Sequence, residues 1–201
     1  MAAVFQRARA LGLIDDRPEA AVDATGFEIR HVSRYYACRR GEKRFPQRFW
    51  PKLTVVCHTR THLWAGVVIG RGPSNDSPFL RPAMRQAARV IHWDRVLADM
   101  AYDAEANHRV CRDELGIRST VIPRNPRRWP DAVHIQGRYR AQMTRRFPCR
   151  IYGHRWQVES SISQDKRVLG SALRSRREQA QNREGQLRVL THNLMILRLP
   201  A

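Results

Sequence analysis

The chain has 201 residues, enough to bury a hydrophobic core without disulfides or metal ions to hold it together. It carries 37 lysines and arginines against 18 acidic residues, a formal net charge of +19, which favours phosphate backbones or anionic surfaces as partners. No apolar run reaches the roughly 18 to 20 residues that a membrane span requires, and 42% hydrophobic residues exclude a disordered basic tail.

Local features narrow the class of protein further. The four cysteines are scattered without a CxxC pair, which argues against a zinc ribbon and against a secreted disulfide scaffold. The most metal-like cluster, Cys57, His58 and His62, falls in a predicted hairpin, where such residues more often pack or form turns. Two arginines among the first 13 residues interrupt any signal-peptide apolar stretch, so we expect a soluble cytoplasmic protein without membrane association.

The first part of the chain alternates predicted helix and strand. A short helix at 4–11 leads to an apolar strand at 20–23, and a basic, aromatic stretch at 34–50 follows. Two apolar runs at 53–58 and 63–69, rich in Val, Ile and Thr and joined by a polar tripeptide, predict a β-hairpin. The sheet is therefore expected to begin with antiparallel strands.

Single strands then alternate with helices. A serine followed by a proline begins a helix at 77–91, with the serine as its cap, and a strand follows at 96–99. Asp103 is the expected cap of the next helix, which ends at Gly116, and 120–122 is another strand. This succession predicts an α/β fold with a mixed sheet, antiparallel strands first and parallel strands afterwards, flanked by helices.

Residues 124–150 are strongly basic, with eight arginines against one acid and three aromatic residues between them. Guanidinium groups interleaved with aromatic rings suit contact with a phosphate backbone combined with base stacking. A solvated loop in an arginine-rich proteome is the alternative interpretation. The DNA contacts expected from this segment are Arg124, Arg127, Arg128, Arg138, Arg140, Arg145 and Arg146.

Pro148 and Gly170 bracket a further predicted helix with one apolar edge. Beside that edge, within an arc of about 60° on the helix surface, lie Tyr152, Arg155, Glu159 and Lys166. An amphipathic helix with a salt-bridged polar face is the commoner meaning of this pattern. The preceding arginine-rich segment and the scarcity of lysine, three in the whole chain, favour a functional role instead.

Two more acids, Asp23 and Asp99, each end a predicted strand. Acids at the ends of adjacent buried strands are held rigidly and can share a hard divalent cation. Each of them alone would more often be a structural aspartate that caps a turn. Asp94 and Asp103 are competitors, but Asp94 precedes its strand and Asp103 is the expected helix cap.

Three motifs occur in order along the chain. They are Asp23-Ala-Thr-Gly, Asp99-Met-Ala-Tyr-Asp, and a run in which two, three and six residues separate Tyr152, Arg155, Glu159 and Lys166. Together they resemble the DDE transposases of bacterial insertion sequences, and the run matches the Tyr-Arg-Glu-Lys signature of one large group of them. The resemblance covers about residues 20–199. It departs from the family at Ala101, where glycine is usual.

The resemblance implies an RNase H-like fold and phosphodiester chemistry with two Mg²⁺ ions, for which Mn²⁺ can substitute. It further implies that Asp23, Asp99 and Glu159 are both the catalytic residues and the metal ligands. Cationic side chains would offset the charge that repels a nucleophile from a phosphate. The contacts implied with the DNA end are Tyr152, Arg155 and Lys166.

We expect residues 1–19 to form a short helical segment and residues 20–199 the catalytic domain. The upstream region by which such transposases recognise the ends of their element is expected to be absent. The leading hypothesis is metal-dependent DNA strand cleavage and strand transfer on double-stranded element ends and target. A homodimer in a synaptic complex, associated with the bacterial nucleoid, would carry out this transposition. The alternatives are a non-catalytic basic DNA-binding protein, such as a truncated inactive remnant, and an RNase H-like nuclease without strand transfer.

Overall fold

The computed structural model describes residues 1–29, 50–125, 135, 137–175 and 177–198. The strands within these residues are β1 (Glu19–Gly26), β2 (Glu28–Ile29), β3 (Trp50–His58), β4 (Trp64–Gly72), β5 (Arg95–Ala98), β6 (Ser119–Val121) and β7 (Ala172–Leu173). The α-helices are α1 (Ala2–Ala10), α2 (Ser77–Ala88), α3 (Glu105–Arg109), α4 (Arg138–Arg145), α5 (Cys149–Tyr152), α6 (Trp156–Leu169) and α7 (Glu178–Arg198), and α3 continues directly into a π-helix at Val110–Glu114. The basic stretch at 34–49 and the expected DNA contacts Arg127 and Arg128 lie outside the described residues.

Five strands form one mixed sheet in the order β4-β3-β1-β5-β6. β1 pairs antiparallel with β3, and β3 pairs antiparallel with β4. On the other side β1 pairs parallel with β5, and β5 pairs parallel with β6. The predicted sheet, with three antiparallel strands and then parallel ones, is confirmed. Outside this sheet, β2 and β7 form a short parallel pair that the sequence did not predict.

Helices cover both faces of the sheet, because the strands bury alternate side chains on opposite faces. On one face, Val22 of β1 packs in a cluster with Phe5 of α1 and Met84 of α2. On the other face, Ala21 packs in a second cluster with Val158 of α6 and Val189 of α7. α1 is therefore part of the core that surrounds β1. No helix in the described part of the chain is long and apolar enough to cross a membrane.

The predicted hairpin is confirmed and is longer than predicted. β3 begins at Trp50 and β4 continues to Gly72, with a short connection between His58 and Trp64. Within that connection the Nδ1 atom of His58 lies 2.8 Å from Thr61 Oγ1, and His62 has a positive φ of 63°. The side chain of Asn193 in α7 also bonds both backbone polar groups of Trp64. The turn is thus tied to the last helix.

Several predicted helix ends are wrong. The N-cap of α2 lies one position earlier than predicted, at Asp76, so Ser77 is the first helical residue and not the cap. The predicted continuous helix at 148–170 is divided into α5, a 3₁₀ turn at Gly153–Arg155, and α6. The prediction that Asp103 caps a helix also fails: Ala104 occupies the N-cap of α3, and the Asp103 carboxylate pairs with a distant arginine.

Candidate active site

Asp23 and Asp99 lie side by side at the carboxyl edge of the sheet. Val22 of β1 pairs in parallel register with Ala98 of β5. Asp23 is the next residue of β1, which continues to Gly26 and does not end at Asp23 as predicted, and Asp99 directly follows β5. Because side chains alternate along a strand, Asp23 shares a face with Ala21, and this is the face that α6 covers. The sheet topology therefore brings together two acids that are 76 residues apart in the chain.

Both aspartates accept a local backbone hydrogen bond. Asp23 Oδ1 accepts from the N–H of Ala24 at 2.8 Å. Asp99 Oδ1 accepts from the N–H of Ala101 at 2.9 Å and so caps the 3₁₀ turn at Met100–Tyr102. These bonds fix the direction in which each carboxylate leaves its strand.

The carboxylates at this edge repel one another. The pKa of Asp23 is raised to about 6, chiefly by burial; the negative charges of Asp99 and Glu159 contribute to the rise, and the Ala24 N–H and Arg155 oppose it. Burial likewise raises the pKa of Asp99, against the Ala101 N–H and Arg155. Removal from water therefore makes ionisation of both aspartates less favourable, and the neighbouring carboxylates add to this effect.

Glu159 reaches this edge from α6. Its neighbours Val158 and Ile162 are buried against the sheet, whereas the Glu159 side chain is 52% exposed. Asp23 and Glu159 line the same cleft, which has a volume of about 440 Å³. The strand that carries the first acid and the helix that carries the third acid form its two walls.

Of the three other residues of the motif, Lys166 lines the same cleft, and Arg155 and Tyr152 lie beside Glu159. Arg155 forms an ion pair with Glu159, and its guanidinium lies 5.8 Å from the centre of the Tyr152 ring. Tyr152 packs edge-on against Phe147 with 5.1 Å between ring centres. Lys166 lines the cleft and donates a hydrogen bond of 2.9 Å to the carbonyl of Gly26. All four residues that the sequence singled out on this helix are near the acids.

The expected DNA-contacting arginines divide into exposed and buried side chains. Arg138, Arg145 and Arg146 are exposed along or just after α4, and Arg124 is partly buried. Arg140 departs from the expectation because only 8% of its side chain is exposed and its Nε donates to Asp103 Oδ1 at 2.7 Å. A guanidinium held in this way is bound to Asp103 and is not exposed to DNA, so Arg140 is not an expected DNA contact.

Two residues near the acids were missed by the sequence analysis. Asp76, at the N-cap of α2, raises the pKa of Asp99 by its negative charge. Lys52 on β3 forms an ion pair with Asp76 and donates a 2.7 Å hydrogen bond to the carbonyl of Ser74. The only available signal was that Lys52 is one of three lysines in the chain. Nothing local to Asp76 indicates its proximity to Asp99.

Tyr102, from the second acidic motif, lies beneath the aspartates. Its side chain is fully buried. Burial raises the pKa of its hydroxyl, and the charges of Asp76, Asp23 and Asp99 add to that rise. The uncharged ring of Tyr102 therefore packs below the two aspartates.

Carboxylate oxygens are the donors that Mg²⁺ prefers, so the chemistry of this set fits a hard divalent cation. In the described part of the chain, no three His, Cys, Asp or Glu side chains are placed closely enough to hold a metal ion as they stand. Glu159 is paired with Arg155 instead. Because the Glu159 side chain is half exposed, rotation toward Asp23 would bring it to a metal held by the aspartates. A bound cation would favour the ionised form of Asp23, which burial disfavours.

Comparison with known proteins gives one match. A family model described as a transposase DDE domain matches residues 15–194. No curated protein and no solved structure matches the chain. The matched span begins before β1 and ends within α7, so it includes Asp23, Asp99 and Glu159.

Proposed function

The chain belongs to the transposase DDE domain family, and from this we propose that it cleaves DNA strands and joins them to a target during transposition of a bacterial insertion sequence. Transposases act on DNA, and those of this family generally use a divalent metal. The observation that carries the proposal is the pairing of Asp23 and Asp99 on adjacent parallel strands, with Glu159 lining the same cleft as Asp23.

Asp23, Asp99 and Glu159 would hold two Mg²⁺ ions, or Mn²⁺ in their place. When bound, such ions activate a water or a 3′-hydroxyl and stabilise the leaving oxygen of an in-line displacement at phosphorus. Asp23 and Asp99 contribute by their fixed directions, since each is bonded to a backbone N–H. Both must be ionised to act as ligands, so the high pKa of Asp23 makes metal binding depend on pH near 6.

The basic side chains would bind the DNA backbone. Arg155 sits beside the acids and would exchange Glu159 for a phosphate of the DNA end. Lys166, on the same wall of the cleft, adds a second cation, and Tyr152 a neighbouring contact. Exposed arginines of α4 and its end would extend this basic surface to double-stranded DNA.

We place the catalytic domain at residues 20–199, with residues 1–19 as a helical segment before it. A synaptic complex would contain two copies of the chain, one for each end of the element. Because DNA is the substrate, we further propose that the protein acts at the bacterial nucleoid.

The experiment is a plasmid assay with the purified chain. Supercoiled DNA is incubated with Mg²⁺, Mn²⁺ or EDTA to measure nicking, and a labelled 3′-hydroxyl oligonucleotide is added to measure joining to the plasmid. We expect metal-dependent nicking and joining, with loss of both in Asp23→Asn, Asp99→Asn and Glu159→Gln. Asp94→Asn is the matched control, because Asp94 precedes β5 and pairs with Arg118.

Each alternative gives a different result. Nicking without joining would identify a nuclease. Salt-sensitive DNA binding without any nicking, unchanged by metal and by the three substitutions, would identify a non-catalytic DNA-binding protein. Cleavage that survives all three substitutions would refute the proposed active site.

A further inference from the structure

We infer that Asp165 and Arg188 are positioning residues, which set the place at which α6 presents Glu159 to Asp23. The inference rests on the proposed function, because it assumes that these two acids act together. Neither residue lines the cleft that Asp23 and Glu159 share. Both would act through the helix rather than by touching DNA or metal.

The two side chains form a buried ion pair between α6 and α7. Arg188 Nε lies 2.5 Å from Asp165 Oδ2, and the side chains are 6% and 1% exposed. The guanidinium also donates to the carbonyls of Asp165, Leu169 and Gly170, at 3.1, 3.4 and 2.6 Å. The carbonyls of Leu169 and Gly170 lie at the end of α6 and just after it, where a helix has no N–H donors of its own to bond them. One side chain of α7 therefore holds the end of α6.

The same guanidinium connects α6 to the strand that carries Asp23. It lies 4.6 Å from the centre of the Phe27 ring, and Phe27 follows directly after β1. Lys166 lies 5.3 Å from the same ring centre and bonds the carbonyl of Gly26, the last residue of β1. Next along the chain, the backbone N–H of Glu28 donates to the carbonyl of Ser171, at the start of the β2–β7 pairing. The end of β1 and the end of α6 are thus joined by backbone and side-chain contacts.

This joint lies close to the acids on both elements. Asp23 precedes Gly26 by three residues on β1, and Glu159 precedes Asp165 by six residues on α6. At 1.5 Å per residue, Glu159 is about 9 Å from Asp165 along the helix axis. A shift or rotation of α6 at the joint would therefore move Glu159 relative to Asp23 by a comparable distance. Displacements of about 1 Å can reduce a catalytic rate by about 100-fold.

Stability alone does not explain the choice of a charged pair here. Burying two ions costs desolvation free energy, and an apolar pair of similar volume often gives equal or greater stability. A guanidinium differs from an apolar side chain in having directional donors in a fixed plane, which specify one position of the groups they bind. The pair is therefore better suited to fixing geometry than to adding stability.

The test replaces both charges of the pair together, so that neither remains buried without the other, while His192, whose Nδ1 lies 3.6 Å from Asp165 Oδ1, is left unchanged. In the double variant Asp165→Leu with Arg188→Met, we expect a melting temperature within about 5 °C of the wild type. We expect the affinity for Mn²⁺, measured by calorimetry without DNA, to fall at least about tenfold. In the plasmid assay kcat should fall by about 10- to 100-fold, while the DNA concentration for half-saturation changes less than about twofold. Arg188→Lys keeps the charge but not the fork of donors, so its Mn²⁺ affinity and kcat should lie between those of the wild type and those of the double variant.

A core variant on the opposite face of the sheet separates positioning from stability. Met84→Ala leaves a cavity beside α2 and does not touch α6, so it should lower the melting temperature while keeping Mn²⁺ affinity and kcat. Wild-type Mn²⁺ affinity and kcat in the folded double variant would overturn the inference. If the double variant does not fold, wild-type Mn²⁺ affinity and kcat in Arg188→Lys would overturn the inference instead. A wild-type chain without metal-dependent cleavage would instead contradict the proposed function, so the two failures are distinguishable.

Discussion

Arg155 and Glu159 are four residues apart, and their side chains form an ion pair beside the cleft that Glu159 lines. The same guanidinium opposes the rise in the pKa values of Asp23 and Asp99, which places its charge near all three acids. Arg155 therefore acts as an internal counter-ion of the carboxylates. A metal ion that uses Glu159 has to displace it, and the displaced guanidinium is then available for a phosphate.

Replacement of Arg155 by glutamine should strengthen metal binding in the absence of DNA. The exposed ion pair is worth about 0.2 to 1 kcal/mol, and loss of a nearby positive charge adds to the effect. We expect Mn²⁺ affinity, measured by calorimetry, to increase about two- to tenfold. DNA affinity should fall in the same variant. Arg89→Gln, at an exposed position just after α2, is the control, and weaker Mn²⁺ binding in Arg155→Gln would contradict the counter-ion role.

The pKa of Asp23 predicts a pH-dependent cost in stability. Because burial raises this pKa from near 4 to about 6, the folded state binds the proton more tightly than the unfolded state does. Ionised Asp23 therefore destabilises the metal-free fold above pH 6, and the cost disappears as the pH falls to 4. Asp23→Asn should raise the free energy of unfolding by about 2 to 3 kcal/mol at pH 7.5 in EDTA, and by little at pH 4. Urea titrations at the two pH values test this, and an equal gain at both would be inconsistent with it.

Replacement of Arg140 and replacement of Arg145 should have different effects, although both residues lie on α4. Arg140→Ala leaves the buried carboxylate of Asp103 without its partner, which should cost about 3 to 5 kcal/mol of stability. Arg145→Ala removes an exposed cation, so stability should stay within about 0.5 kcal/mol while DNA affinity and its salt dependence decrease. Chemical denaturation and DNA titrations at several salt concentrations distinguish the two. Equal stability of the two variants would show that the Asp103 pair is not structural.

Asn193→Ala should destabilise the hairpin. The Asn193 side chain accepts from the N–H of Trp64 at 2.8 Å and donates to its carbonyl at 2.9 Å, in a fully buried position. Removing it leaves both backbone groups unpaired, at a cost of about 2 to 4 kcal/mol. Thr191→Ala, on the exposed side of the same helix, is the control and should change stability little. Urea denaturation measures both, and a neutral Asn193→Ala would mean that water or another group replaces the amide.

The acidic motifs show how far sequence could locate the candidate site. Asp23 and Asp99 were recognisable because each comes at the end of an apolar run, and their adjacency follows from the parallel pairing of β1 with β5, although β1 continues past Asp23 to Gly26. Glu159 was recognisable from its spacing to Tyr152 and Lys166 on one helix face. Asp76 was not, because its effect on Asp99 depends on how α2 packs against the sheet. The role of Asp103 was not recognisable either. Local rules predict that it caps a helix, whereas its carboxylate pairs with Arg140, 37 residues away in the chain.

The sequence by itself determined the charge, the alternation of strands and helices, and the order of the acidic motifs, because these depend on composition and on short-range periodicity. Only the tertiary structure decided which charges meet. Burial and ion pairing depend on neighbours that are distant in the chain, and they separate Arg140 in the core from Arg145 at the surface. They also give Arg155 its place beside three carboxylates and join Arg188 to the end of α6. Long-range packing, which no local pattern encodes, thus brings three of the acids of a basic sequence to one edge of the sheet.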